Sequence, residues 1–216
     1  MAEIKASSLQ LRAAALWQEW NEKINVISRK DSDAVFEHHI LHSLAVAEYL
    51  RRFYPGKNPF ETAEILDLGT GGGFPGIPLA MEFENASFTL CDSVGKKIKV
   101  AQAVAEGLGL KNVRCVNSRA EELKGQWDYA VSRAVAPLNK LYGWAGDKIR
   151  RSLICLKGGD LQEEIALLRR RFGISEERIR VWKISDWLEN EYFAEKFVIE
   201  VGKSYLCSPF VENIKR

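Results

Sequence analysis

The sequence predicts an α/β fold: a mostly parallel sheet with an antiparallel last strand, preceded by an N-terminal helical extension. Three observations carry this. From residue 64 onward, short apolar runs alternate with helix-length stretches, the pattern of parallel βαβ units. The first run opens into a glycine-rich turn at residues 69–76, where such folds build nucleotide pockets. The last two runs, 178–184 and 197–201, are joined by a loop too short for a helical crossover, so an antiparallel pair is expected.

Ahead of the sheet, Leu9, Leu16, Trp17, Trp20 and Ile24, with Ala13 between them, form the stripe of an amphipathic helix over 9–24. Trp17 and Trp20 lie on that stripe and are read as core packing rather than as base-stacking platforms. A second helix is expected over 34–53, with Phe36, Ile40, Leu44, Ala47 and Leu50 at helical spacing and Asp33 as its N-cap. The segment Tyr54-Pro55-Gly56-Lys57-Asn58-Pro59 breaks the pattern and divides a helical extension, 1–60, from an α/β domain, 61–216. Parallel strands are expected at 64–68, 87–91, 113–116, 129–132 and 152–156.

With 216 residues the chain holds one well-buried α/β core plus an appended element. No apolar run approaches the roughly 18 residues of a membrane helix. The N-terminus has no signal-peptide pattern, so a cytoplasmic protein is expected. Cys91, Cys115, Cys155 and Cys207 are scattered without a CxxC pair, which points to neither a zinc site nor a disulfide frame. Net charge is only +2, so any nucleic-acid footprint must come from local clusters. Candidates are Arg51-Arg52, Lys96-Lys97 with Lys99, Lys148 with Arg150-Arg151, and Arg169-Arg170-Arg171, although such runs are also ordinary solvated helix faces.

The most informative stretch runs from Ile65 through Asp67, Gly69, Thr70, Gly71, Gly72, Gly73, Phe74 and Pro75 to Gly76 and Pro78. Its glycines permit positive φ and close approach of a ligand to the main chain. Gly71, Gly73 and Gly76 also satisfy GxGxxG, which alone is weak support for a dinucleotide. Asp67 favours a different cofactor. A carboxylate beneath this turn would repel a pyrophosphate but attract the ammonium and sulfonium of S-adenosylmethionine. Pro75 and Pro78 act in the same direction by removing amide donors that a phosphate would need. Asp92, ending the second strand, can accept hydrogen bonds from both ribose hydroxyls. Its competing role is N-cap of a helix starting near Val94.

Several motifs together make the chain resemble the glucose-inhibited division protein B family, the bacterial ribosomal RNA guanine-N7 methyltransferases. They are Trp20-Asn21 with Asn25, His39-Ile40-Leu41 with Ser43, the glycine loop from Asp67 to Pro78, Asp92-Ser93-x-Gly95-Lys96-Lys97, Ser118-Arg119-Ala120-Glu121-Glu122, Ser132-Arg133-Ala134 and Leu156-Lys157-Gly158. The resemblance covers nearly the whole chain. It implies a Rossmann-like class I S-adenosylmethionine-dependent methyltransferase fold, makes 61–216 the methyltransferase domain, and implies 16S ribosomal RNA or the small ribosomal subunit as partner. It also implies cofactor roles: Gly69, Thr70, Gly71, Gly73 and Phe74 around the methionine part, Asp92 on the ribose, Ala120 and Glu121 at the adenine edge, and Arg133 reaching from the fourth strand. His42 stands where the family often has Asp or Glu, Gly72 where it commonly has Ala or Pro, and the tail from Lys203 to Arg216 exceeds the family's usual length.

Guanine N7 carries an in-plane lone pair and no proton at neutral pH, so no general base is required and no catalytic triad is expected. The work left is orientation and charge. N7 and O6 form an acceptor pair that a cation reads well, so Arg119, Arg133 and Lys157 are candidates for substrate contact. The competing role for Arg133 is a salt bridge to a carboxylate. His39 is a candidate for orienting the methionine loop, against the plainer reading of a hydrogen-bonded helix residue. Arg29-Lys30, Lys96-Lys97 and Lys148-Arg150-Arg151 are expected to rim the pocket, giving salt-sensitive RNA affinity. A monomer without a metal is expected. Three other readings compete: a dinucleotide-dependent oxidoreductase, a non-catalytic RNA-binding module, and a methyltransferase for another RNA, a small molecule or a protein.

Overall fold

The computed structural model describes residues 5–204 and 206. The side chains of Arg29 and Lys30, Cys207 and most of the tail after Lys203 lie outside the described residues.

The chain opens with α1 (Ser8–Lys23), started by a capping box in which Ser7 and Gln10 exchange side-chain to backbone hydrogen bonds. A 3₁₀ turn (Arg29–Ala34), a π-helix (Val35–Leu41) and α2 (His42–Phe53) follow. The single helix expected over 34–53 is therefore two pieces, a π-helical start and an α-helical remainder. Asp33 does not cap it, because Ala34 precedes the π-helix and no side-chain cap is made. The wider π-turn, in which the His42 amide reaches back to the Glu37 carbonyl, redirects the carbonyl and ring of the histidines it carries.

The rest alternates: β1 (Glu64–Leu68), α3 (Gly76–Glu82), β2 (Ser87–Asp92), α4 (Gly95–Leu108), β3 (Val113–Asn117), β4 (Trp127–Arg133), α5 (Leu138–Ala145), β5 (Ile149–Gly158), α6 (Gln162–Phe172), β6 (Ile179–Lys183) and β7 (Lys196–Gly202). All seven strands form one sheet in the order β3-β2-β1-β4-β5-β7-β6. The first five pair in parallel, and β7 inserts antiparallel between β5 and β6. Residues 184–195, too short for a covering helix, make the return from β6 to β7.

Strand alternation divides the core in two. Ile65, Phe88, Tyr129, Val131 and Ile154 face one apolar cluster with Trp17, Tyr49 and α3–α4, whereas Leu66, Leu68, Ala130, Leu153 and Cys155 face another with α5 and α6. The N-terminal arm thus shares its core with one face of the sheet. A buried polar knot fixes α2 to the hairpin: the fully buried Glu200 accepts hydrogen bonds from Tyr49 (2.6 Å) and Tyr54 (2.8 Å), with Arg180 3.5 Å away. Mutual satisfaction is what makes such a buried carboxylate tolerable.

Candidate active site

At the carboxyl end of β1 the chain turns through Gly69, Gly71 and Gly73, all at positive φ. The Gly69 and Thr70 amides donate to the Cys91 carbonyl, 2.8 and 3.0 Å away, which ties the turn to the end of β2. Beneath it, Asp67 is fully buried; its Oδ2 accepts from Thr70 Oγ1 (2.6 Å) and the Gly76 amide (2.8 Å), while Oδ1 has no partner. Burial raises its pKa to about 7 against the pull of those hydrogen bonds. A Cβ on Gly76 would lie 2.7 Å from that carboxylate, so only glycine fits.

Above the turn opens a cleft of about 440 Å³, a size suited to a small-molecule ligand. Of the residues singled out in the sequence, Gly69, Thr70, Gly71, Phe74, Asp92, Arg119, Ala120, Glu121 and Arg133 line it together. Gly73 does not; its missing Cβ makes room for Ile77, whose Cδ1 would otherwise be 2.4 Å away.

Asp92 reaches the cleft with both oxygens engaged by main chain: Oδ1 accepts from Val94 and Oδ2 from Gly71, at 2.8 and 2.9 Å. It is not an N-cap, because α4 starts at Gly95 behind Val94 without a side-chain cap. Each carboxylate oxygen keeps a lone pair for a further donor. Arg119, Ala120 and Glu121 stand at the end of β3, Arg119 exposed at the mouth.

Arg133, at the end of β4, donates to the His38 carbonyl (3.2 Å) and to His39 Nδ1 (2.8 Å), and its guanidinium lies 4.7 Å from the Phe74 ring centroid. Among the described residues no carboxylate makes an ion pair with it. Burial lowers its pKa to about 10. His39 leans on Phe74, and burial followed by the Arg133 charge lowers its pKa to about 3, so it is held as a neutral acceptor. Its Nε2 finds no partner. His39 lies behind the cleft wall rather than in it. Neighbouring His42 is buried against Tyr192 and Phe193, neither ring nitrogen is partnered, and burial depresses its pKa.

Two expectations need correction. Lys157 does not face the cleft: its ammonium pairs with Glu164 (2.7 Å) and donates to the Ala136 carbonyl (2.8 Å). Lys148, Arg150 and Arg151 do not rim it either. Lys148 precedes β5 and Arg150 and Arg151 begin it, at the end of the sheet opposite the carboxyl ends of the parallel strands, where Arg150 meets Glu64 (3.2 Å) and Asp128 (3.5 Å). Lys97 does line the cleft.

Trp17, read as plain core, does more. It is fully buried, stacks on Phe74 with centroids 4.2 Å apart, and donates its indole N–H to the Gly72 carbonyl at 2.7 Å. Val26 completes the contact, since a Cβ on Gly72 would meet it at 2.9 Å. No sequence signal separates such a tryptophan from its neighbours on the apolar stripe.

Cleft and topology together define a class I S-adenosylmethionine-dependent methyltransferase. Solved structures share the fold: magnesium protoporphyrin IX methyltransferase from Synechocystis PCC 6803 with bound SAM (TM-score 0.63, 15% identity, 94% of this chain and 100% of that one), and the T. thermophilus 16S rRNA N2 G1207 methyltransferase in complex with AdoMet and guanosine (TM-score 0.56, 19% identity, 74% and 42%). The chain belongs to the GidB family, rRNA small subunit methyltransferase G, whose pattern matches residues 8–186. It is 49% identical over 193 residues to the ribosomal RNA small subunit methyltransferase G of Porphyromonas gingivalis (85% of this chain, 81% of that one), and 43% identical over 198 residues to that of Christiangramia forsetii (88% and 87%). This membership sets aside the dinucleotide reading of the glycine loop. Among the described residues no helix is long and apolar enough to cross a membrane.

The residues present fit S-adenosylmethionine. Asp92 retains acceptor capacity in the cleft, the Cβ side of Gly71 opens on empty space, and a buried acid underlies the turn.

Proposed function

We propose that the protein methylates N7 of a guanine in 16S ribosomal RNA, presented in the small ribosomal subunit or its RNA. The observation that carries this reading is the coincidence of an rRNA-methyltransferase family match over residues 8–186 with a cleft at the ends of β1 and β2. When bound, S-adenosylmethionine supplies an electrophilic methyl group on a sulfonium.

The side chains then divide the remaining work. Asp92 accepts the ribose hydroxyls through its free lone pairs, Ala120 and Glu121 meet the adenine edge, and Gly69, Thr70, Gly71 and Phe74 enclose the methionine part. Gly73 serves from below, by giving Ile77 room to support the turn. Arg133 spends two donors on His38 and His39 and has others for a carboxylate or for guanine O6. Arg119, exposed at the mouth, reads the N7/O6 edge. His39 is occupied as an acceptor from Arg133 and takes no proton at neutral pH, which suits a nucleophile that has none to lose.

Residues 1–60 act in this reading as an extension that buttresses the cofactor turn, and residues 61–216 as the methyltransferase domain. The protein works as a metal-free monomer in the cytoplasm.

The test is transfer of labelled methyl groups to small-subunit RNA from cells lacking the gene, with the product base mapped by strand scission at N7-methylguanine. Label at one guanine N7 is expected. Label on another atom, or none on RNA, would overturn the proposal.

A further inference from the structure

The turn that follows β4 differs from the other strand ends of the cleft. Ala134 has φ 54°, the one positive value among the described non-glycine residues. Such backbone outliers concentrate at functional sites because the surrounding structure must impose them. Val135 is 42% exposed and lines the cleft, yet it sits directly on the cofactor turn: a Cβ on Gly69 would come within 2.4 Å of its Cγ2.

The end of the turn that follows Ala134 and Val135 is tied down by two side chains. Lys157 on β5 donates to the Ala136 carbonyl at 2.8 Å, and the same ammonium pairs with Glu164 on α6 at 2.7 Å. Glu164 Oε2 in turn accepts the Leu138 amide at 2.9 Å. One cation and one anion thus hold Ala136 and Leu138, which follow directly on the apolar Val135 that faces the cleft. Lys157, with its side chain 9% exposed, is committed to this task and is not offered to a phosphate or a base.

We infer that Lys157 and Glu164 are positioning residues, which act through residues 134–137 to hold Val135 against one face of the methyl-accepting base. The inference rests on the RNA-base reading of the cleft. A flat base needs an apolar surface at its side as well as polar contacts at its edge, and Val135 supplies one next to the turn where the methyl donor is held.

Lys157→Met, Glu164→Ala and the double variant test it. Turnover on small-subunit RNA is expected to fall by at least about tenfold in each single variant, since small misplacements at a reacting centre are costly. The double variant should match the singles, because both changes release the same turn. S-adenosylmethionine affinity should stay within about twofold of wild type, and the salt dependence of RNA binding should not change, because no phosphate contact is lost. Hydrogen exchange at the amides of Val135, Ala136 and Leu138 should quicken in all three variants, a readout that needs no RNA. Exchange rates at the wild-type level would overturn the inference whether or not RNA is the substrate. A shallower salt slope for Lys157→Met with normal turnover for Glu164→Ala would also overturn it, by making Lys157 a direct RNA contact. Absence of transfer by the wild-type protein would count against the RNA reading alone, leaving the exchange result to decide the clamp.

Discussion

Trp17 on the first helix donates its indole N–H to the carbonyl of Gly72 in the glycine turn, 2.7 Å away and 55 residues along the chain. The bond makes the N-terminal arm part of the wall that shapes the site. Replacing Trp17 with Phe keeps much of the stack on Phe74 but leaves the Gly72 carbonyl without its donor. A loss of about 1–3 kcal/mol in stability is expected in urea titrations, with weaker S-adenosylmethionine binding by calorimetry. Unchanged affinity would show that the arm does not shape the turn.

Gly72 tests the same contact from the other side. A methyl group there would meet Val26 at 2.9 Å, so Gly72→Ala should cost about 1–3 kcal/mol as an overpacked contact. Adding Val26→Ala should recover most of it. Equal melting temperatures for the single and double variants would exclude the steric cause.

Arg133 is bound to two histidines of one π-helix and lies over Phe74. Lys cannot reproduce both bonds, so Arg133→Lys is expected to lose about 1.5–3 kcal/mol of charged hydrogen bonding. Turnover should drop by roughly 10-fold or more at that energy. Wild-type kcat and cofactor affinity in Arg133→Lys would remove this arginine from the site.

Asp67 gives the site a pH dependence. Its folded pKa of about 7 lies above the usual 3.8, so the folded state holds the proton more tightly. Stability from this group is therefore fully present below pH 3.8 and is lost as pH rises through about 7. Over the same upper range the acid becomes an anion beneath the turn, and affinity for the cationic cofactor should rise between pH 6 and 8. Calorimetry at those two pH values checks it, and Asp67→Asn should flatten the difference. A difference retained in Asp67→Asn would assign it to another group.

The sheet was legible because strand period and glycine placement are local properties. Glu64–Leu68 coincides with the expected first strand, and the hairpin at the end followed from loop length alone. The arm was less so: helical spacing cannot distinguish α from π, so the break at Val35–Leu41 was invisible, and with it the aim of His38 and His39 at Arg133. Asp92 and the glycine turn were readable as a strand-end pattern, and they line one cleft. Lys157 was not, because its partner Glu164 and the Ala136 carbonyl come together only when β5 and α6 pack. The basic run at Lys148 to Arg151 misled for a topological reason, since strand direction decides which edge of the sheet a charge occupies.

Calorimetric titration of S-adenosylmethionine into wild-type protein and Asp92→Ala tests the centre of this description most directly. Asp92 anchors the turn through the Gly71 amide and, in the proposed function, also accepts the ribose hydroxyls. At about 1.5–3 kcal/mol for each hydrogen bond to a charged group, affinity should fall roughly 10- to 100-fold or more. Equal affinities in the two proteins would contradict the placement of the methyl donor in this cleft.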